Sequence, residues 1–240
     1  MIAVTIATPG YEQLANEQAF YARKNTGLDV HVIHKADAGY HHKLELQKVF
    51  KGHQILFFDA DLRLIRHVDW IKIANDSRGS FVTAPDPGIH DPNQFPSTDS
   101  KALGIDRLQY FNSGLFIANF KSQQVVDAFD RGRQLMEERL NGMWKDVNDP
   151  GDQSFMNAGI QQMGIQVKLL HPRFNFFFHA WRWGCLPEIP RNIIGLHAAG
   201  TALNEKKEIL DAQHRVFGMT MGAGNLPRVK RWYQRYTDTP

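Results

Sequence analysis

One segment constrains this chain more than any other. Gln54-Ile55-Leu56-Phe57-Phe58 is an unbroken apolar run that stops at Asp59-Ala60-Asp61. A short apolar run without polar alternation is the pattern of a strand buried on both faces. Such strands occur where helices cover both sides of a sheet, so the run predicts an α/β fold. Side chains alternate with period two in an extended chain, so Asp59 and Asp61 point to the same side. Carboxylates that close repel unless a cation lies between them. Hard divalent ions such as Mn2+ or Mg2+ prefer oxygen ligands and commonly bridge carboxylates to substrate phosphates. The same residues also suit a solvated turn in which Asp59 caps the next segment.

The flanking pattern extends the α/β reading. Ile2 to Thr8 reads as a buried first strand, broken at Thr8-Pro9-Gly10, and Tyr11 to Asn25 as a helix. Asp29–His34, Phe81–Ala84, Ser113–Asn119, Gln166–Leu170 and Asn192–Leu196 read as further strands. Lys43–Phe50 reads as a helix, and Val125, Val126, Phe129, Met136 and Leu140 mark one helical face that ends at Asn141-Gly142. Another helix opens at Asp152, with Phe155, Met156, Ile160 and Met163 inward. Pro85 to Gln109 lacks periodicity and is rich in Pro, Asp and Gly, which predicts a long functional or mobile loop. The alternation predicts a mostly parallel central sheet flanked by helices, in one domain spanning 1–240. In such sheets ligands sit beyond the carboxyl ends of the strands.

Composition narrows the function classes. The 240 residues are 42% hydrophobic and 22% charged, which excludes a disordered chain. The formal charge of +3 is too weak for nucleic acid to be the default partner. The single cysteine, Cys185, excludes an intramolecular disulfide and any all-cysteine metal site. The N-terminus reads as a strand rather than a signal peptide, so a reducing, cytoplasmic compartment is expected. Leu226 to Tyr236 combines Arg228, Lys230, Arg231 and Arg235 with Trp232, Tyr233 and Tyr236. The 226–240 segment suits either a solvated C-terminal helix or peripheral contact with an anionic membrane.

Three later segments join the carboxylate pair: Tyr110-Phe111-Asn112-Ser113-Gly114 before an apolar strand, Asp152-Gln153 before a helix, and His197-Ala198-Ala199-Gly200 after a strand. Tyr40 and Lys43 lie upstream of the pair. In this order, the segments resemble glycosyltransferase family 8 and its GT-A relatives over roughly Ile2 to Lys207. That family shows Leu-Asp-x-Asp, then Phe-Asn-x-Gly, Asp-Gln and His-x-x-Gly, with an upstream Tyr-x-(Arg/Lys)-Leu.

The resemblance implies a GT-A fold and a metal-dependent transferase. Asp59, Asp61 and His197 would hold Mn2+ or Mg2+. A nucleotide diphosphate sugar, of the UDP-sugar type, would lie among Thr8, Tyr11, Lys43, Asp59, Ala60, Asp61, Asp86, Asn112, Ser113, Gly200 and Lys206. Tyr11 would stack on the base, and Asp86, Asn112 and Asp152 would contact the donor sugar. Gln153, paired with Asp152 as the catalytic residues, would stand near the reacting face of the anomeric carbon. The acceptor would be a hydroxyl of a saccharide or lipid-linked saccharide, and the configuration would be retained.

The chain departs from the family in two places. Thr8-Pro9-Gly10-Tyr11 stands where the family has Asp-x-Asn-Tyr. Beyond Gly200 the family's Lys-Pro-Trp is missing: Leu203 takes the lysine's place, and Lys206 and Lys207 follow.

Several of these residues also have structural uses. Asp152 suits an N-cap, Tyr11 a core or staple residue and Asn112-Ser113-Gly114 a turn. His197 suits a structural histidine. In the aromatic stretch Arg173 to Trp183, Asn175 matches a family position, while Trp181 and Trp183 suit an acceptor-stacking platform or the core. Two rival functions fit the carboxylate pair. One is a haloacid dehalogenase-like phosphatase with Asp59 as nucleophile. The other is a non-catalytic nucleotide-sugar-binding module.

Overall fold

The computed structural model describes residues 1–77, 81–90, 94–149, 151–177 and 192–217. Trp181, Trp183, Cys185 and the 226–240 segment lie outside the described residues.

A six-stranded sheet is built from β1 (Ile2–Ala7), β2 (Val30–His34), β3 (Gln54–Phe58), β5 (Phe81–Pro85), β6 (Phe111–Asn119) and β7 (Val167–Leu169), in the order β2-β1-β3-β6-β5-β7. β6 runs antiparallel to both its neighbours, while the β1–β2, β1–β3 and β5–β7 pairs are parallel. A second, smaller sheet pairs β4 (Leu62–Leu64) with β9 (Gly195–His197) and β8 (Phe176–Phe177), in the order β4-β9-β8.

β3 is buried on both faces, and its period of two divides the core. Ile55 and Phe57 pack with Phe116, Phe129 and Phe155 on one side; Leu56 and Phe58 pack with Ala19, Ala22, Leu62 and Trp70 on the other. All four side chains of this run are 0% exposed, each worth roughly 1.5–3 kcal/mol of burial. Helices α5 (Gln123–Leu140) and α6 (Gln153–Gln162) cover the first face; α1 (Glu12–Thr26) and α3 (Trp70–Asp76) cover the second. The remaining helices are α2 (Leu46–Val49), α4 (Phe95–Leu103) and α7 (Leu203–Phe217).

Several expectations need correction. The segment Pro85 to Gln109 is not an aperiodic loop: it holds α4 and short 3-10 turns at Pro87–His90 and Arg107–Gln109. Asp99 and Ser100 are buried on α4, so its inward face is partly polar and shows no apolar stripe. Lys43 lies in a 3-10 segment, Tyr40–Glu45, that leads into α2. The last strand is Gly195–His197 and belongs to the second sheet rather than the central one. Leu140, assigned to the inward face of α5, is 80% exposed, because the helix outruns the core at its end. Asn112-Ser113-Gly114 lies inside β6 and is not a turn.

Candidate active site

The site grows from the end of β3. Asp59 donates its backbone N–H to Gly114 O on β6 (2.9 Å) and accepts at its own carbonyl from Leu62 N (2.9 Å). That tight turn passes the chain from the central sheet into β4. β4 then pairs antiparallel with β9 so that Leu62 faces His197. The register explains why His197, far away in sequence, arrives beside Asp61. Its Nε2 lies 3.2 Å from Asp61 Oδ1 and 3.7 Å from Asp59 Oδ2. Ligand atoms of Asp59, Asp61 and His197 all fall within 4.8 Å of one another.

Gly114 makes this convergence possible. A Cβ there would stand 2.4 Å from His197 Cε1, 2.8 Å from Asn112 Oδ1 and 2.9 Å from Asp59 Oδ2. Any larger residue would push the histidine and the first carboxylate apart. The ladder between β5 and β6 shifts between Thr83 and Ala84, a bulge of the kind that re-aims side chains beside active sites. At the break, Thr83 Oγ1 lies 2.8 Å from Leu115 O and 3.1 Å from Asn112 O.

Two lysines face the carboxylates. Lys43 Nζ is 2.9 Å from Asp59 Oδ1, 3.6 Å from Asp152 Oδ1 and 3.2 Å from Ser113 Oγ. Lys206 donates to Asp61 Oδ2 and, at 2.8 Å, to Ala198 O. Its neighbour Lys207 turns outward to Asp211 and Glu17. Burial pushes the Asp61 carboxyl up, but His197 and Lys206 outweigh it and hold Asp61 well below the usual carboxylate range. Burial works against the Lys43 ammonium; Asp152 and Asp59 overcome that and raise it above the ordinary lysine value. Asp152 goes the other way. Burial pushes its carboxyl up to about 6 despite Lys43 nearby.

A chain of hydrogen bonds of fixed polarity runs away from His197. Gly114 N can only donate, and it donates to Asn112 Oδ1 (2.8 Å). Asn175 must therefore present its amide N–H to that oxygen, at 2.9 Å, and its own Oδ1 to His197 Nδ1, also at 2.9 Å. His197 Nδ1 carries a proton as a result, and Nε2 is the ring nitrogen that faces the carboxylates. In the other direction Asn112 Nδ2 donates to Gln153 Oε1 (2.7 Å), which also accepts from Ser113 N (3.1 Å). Gln153 Nε2 then donates to Asp86 Oδ2 (2.8 Å), and Gly88 N to Asp86 Oδ1 (2.8 Å). The Gln153 amide is held from both ends.

Beside the carboxylates opens a cavity of about 250 Å³. Its wall includes Thr8, Tyr11, Tyr40, Lys43, Asp59, Ala60 and Asp61. Six of the sequence-derived donor residues thus share one wall. Asp86, Asn112, Ser113, Asp152 and Gln153 join them through Lys43 and the amide chain, and His197 and Lys206 through Asp61. Gly200 lies in the exposed turn after β9, in the left-handed region (φ 74°).

One structural reading fails here. Asp152 occupies the N-cap position of α6, yet its side chain caps nothing, and its buried Oδ2 has no hydrogen-bond partner among the described residues. Asp149 does the capping, accepting from Ser154 N (2.7 Å) and Gly151 N (2.9 Å). Tyr11 is the residue before α1 and also lies against the cavity, with Lys206 Nζ 5.9 Å from its ring centre. Neither Asp149 nor Asp99 stands out in the sequence. Asp99 accepts from Asn148 N, Asp149 N and Ser154 Oγ, so both residues act mainly on backbone N–H groups, a role without a sequence signature.

The fold is shared with solved glycosyltransferases of the GT-A type. The galactosyltransferase LgtC, solved with donor and acceptor sugar analogues, matches with a TM-score of 0.62 at 15% identity, over 88% of this chain and 96% of that one. A glycosyltransferase involved in glycosylating the major capsid of PBCV-1 matches at 0.58 and 10% identity, over 88% and 100%. Mouse xyloside xylosyltransferase 1 matches at 0.55 and 10% identity, over 83% and 97%. No family model matches the sequence, and no curated protein does.

Proposed function

We propose that this chain is a metal-dependent glycosyltransferase that moves a sugar from a nucleotide diphosphate sugar, of the UDP-sugar type, onto a hydroxyl acceptor, with retention. One observation carries the reading: Asp59, Asp61 and His197 converge within 4.8 Å at the edge of a cavity whose wall includes Lys43. Two carboxylates and one imidazole form a donor set suited to Mn2+, and the space kept open by Gly114 fits their joint use. Asp59, Asp61 and His197 would hold the ion, which would supply charge neutralisation for a leaving diphosphate.

The chain's own residues supply the rest. Tyr11 stacks on the base at the far side of the cavity. Lys43 and Lys206 add positive charge where the diphosphate lies. Asp86, Asn112 and Asp152 bind the donor sugar hydroxyls. The Gln153 amide, fixed by Asn112, Ser113 and Asp86, needs no reorganisation to face the anomeric carbon, which favours preorganised stabilisation of the developing positive centre. The acceptor hydroxyl attacks on the face from which the diphosphate leaves. Retention rests on the family resemblance.

The test is a screen of nucleotide sugars with Mn2+, read as binding, slow donor hydrolysis and transfer, on wild type and Asp61→Asn. Metal-dependent donor binding that disappears in Asp61→Asn supports the assignment; binding that survives overturns it. Donor binding without hydrolysis or transfer identifies a binding module. The product anomer, read by NMR, decides retention.

A further inference from the structure

A second cluster of ligand-type side chains lies on the segment that delivers Lys43. Among the described residues, Asp37, His41 and His42 place one ligand atom each within 4.8 Å of one another. None of the three was assigned a donor or metal role above, although His42 also lines the cavity.

The arrangement is costly without an occupant. His41 and His42 are adjacent, yet their rings approach to 4.2 Å with a tilt of 49°. Gly39 permits this. A Cβ at position 39 would stand 2.3 Å from His41 Cε1, 2.5 Å from His41 Nδ1 and 2.7 Å from Asp37 Oδ2. The missing side chain is therefore what lets the His41 ring and the Asp37 carboxylate fold back together.

His42 is 6% exposed, and neither of its ring nitrogens has a hydrogen-bond partner among the described residues. Its Nε2 lies 3.0 Å from Asp37 Oδ1, an ion-pair contact to an exposed carboxylate. Buried polar nitrogens are almost always satisfied, and one ion would supply the partner that one of the two lacks. A tetrahedral ion with bonds of about 2.1 Å holds its ligand atoms about 3.4 Å apart, near the Asp37–His42 separation.

We propose that Asp37, His41 and His42 bind a borderline transition-metal ion of the Zn2+ class. Two imidazoles and one carboxylate select such an ion over Mg2+ or Ca2+, which prefer all-oxygen shells. Three protein ligands leave a position open to solvent or a small anion. His42 also lines the nucleotide-side cavity, and Lys43 follows it directly. An ion here pins the 3-10 segment that presents Lys43 to Asp59.

The experiment is a Zn2+ titration by calorimetry, with Co2+ as a visible-absorption probe, on Asp61→Asn protein. That background weakens the carboxylate-pair site, so its success or failure as a donor site does not enter the readout. About one equivalent is expected to bind, and Asp37→Asn or His41→Ala in the same background to weaken it about tenfold or more. His41 is only partly buried, so its loss leaves a folded protein, checked by circular dichroism. Equal binding with and without His41, or no binding at micromolar Zn2+, overturns the proposal.

Discussion

Lys206 reaches back from the first turn of α7 to set its ammonium on Asp61, the carboxylate that His197 touches from the other side. Lys206 is 4% exposed and Asp61 8%, so with His197 they compensate charge within a buried corner. Removing one partner of a buried pair leaves an uncompensated charge, at roughly 3–5 kcal/mol. Lys206→Met is expected to lower the melting temperature in metal-free buffer. Mn2+ is expected to restore more of it than it adds to wild type, since an ion held by Asp61 replaces the missing ammonium. The same variant should lose about tenfold in affinity for a nucleoside diphosphate, because a positive charge has gone. Differential scanning fluorimetry with and without Mn2+ checks the first part. Equal Mn2+ stabilisation of both proteins would falsify it.

Asn175 is expected to act on metal affinity without touching the metal. Its amide fixes both the tautomer and the ring plane of His197, and such outer partners typically change affinity about 10–100-fold. Asn175→Ala should weaken Mn2+ binding by about tenfold. Its stability loss should stay near 1–2 kcal/mol, because Asn112 Oδ1 keeps its bond from Gly114 N. Electron paramagnetic resonance of free Mn2+ measures the affinity, and urea unfolding the stability. A variant with unchanged Mn2+ affinity would show that His197 needs no orienting partner.

Gly114→Ala tests the same corner by sterics. The added methyl would meet His197 and Asp59 at distances real Cβ atoms do not occupy. Overpacking of this kind costs about 1–3 kcal/mol, and here the strain falls on two ligand side chains. Loss of Mn2+ binding with a folded circular dichroism spectrum is expected. Retained binding would mean that the three ligand side chains are not used together.

Much of this arrangement was legible in the sequence, for identifiable reasons. The run Gln54 to Phe58 revealed a doubly buried strand because its core contacts are all apolar, and the carboxylates stood out at its end. α4 stayed hidden because Asp99 and Ser100 break its apolar period. The choice between Lys206 and Lys207 could not be made without the start of α7: one turn of helix sends the first to Asp61 and the second to Glu17 and Asp211. Position 203, where the family's lysine would stand, opens that helix instead, and the cation arrives one turn later. For Asp152 the sequence left cap and donor-sugar contact both open, because an aspartate before a helix usually caps it. Here Asp149 had already taken the backbone N–H that a cap would use.

The uncapped Asp152 should be visible in the pH dependence of stability. Its carboxyl is held at about 6 in the fold against an ordinary value of 3.8. Between those values the folded chain keeps a proton that the unfolded chain has released, so stability falls as pH rises through that window. The difference amounts to about 3 kcal/mol for this group alone. Asp86 and Asp149, also raised mainly by burial, act with the same sign. His214, lowered mainly by burial, opposes them as pH falls. Asp61 opposes them too, but its contribution is lost only below its ordinary value, outside the range of the test. The comparison with Asp152→Asn isolates the one residue. Metal-free wild type should gain more stability between pH 7 and pH 5 than the variant does, measured by urea unfolding at each pH. Parallel profiles would mean that Asp152 keeps its charge throughout, and that Lys43, 3.6 Å away, outweighs burial.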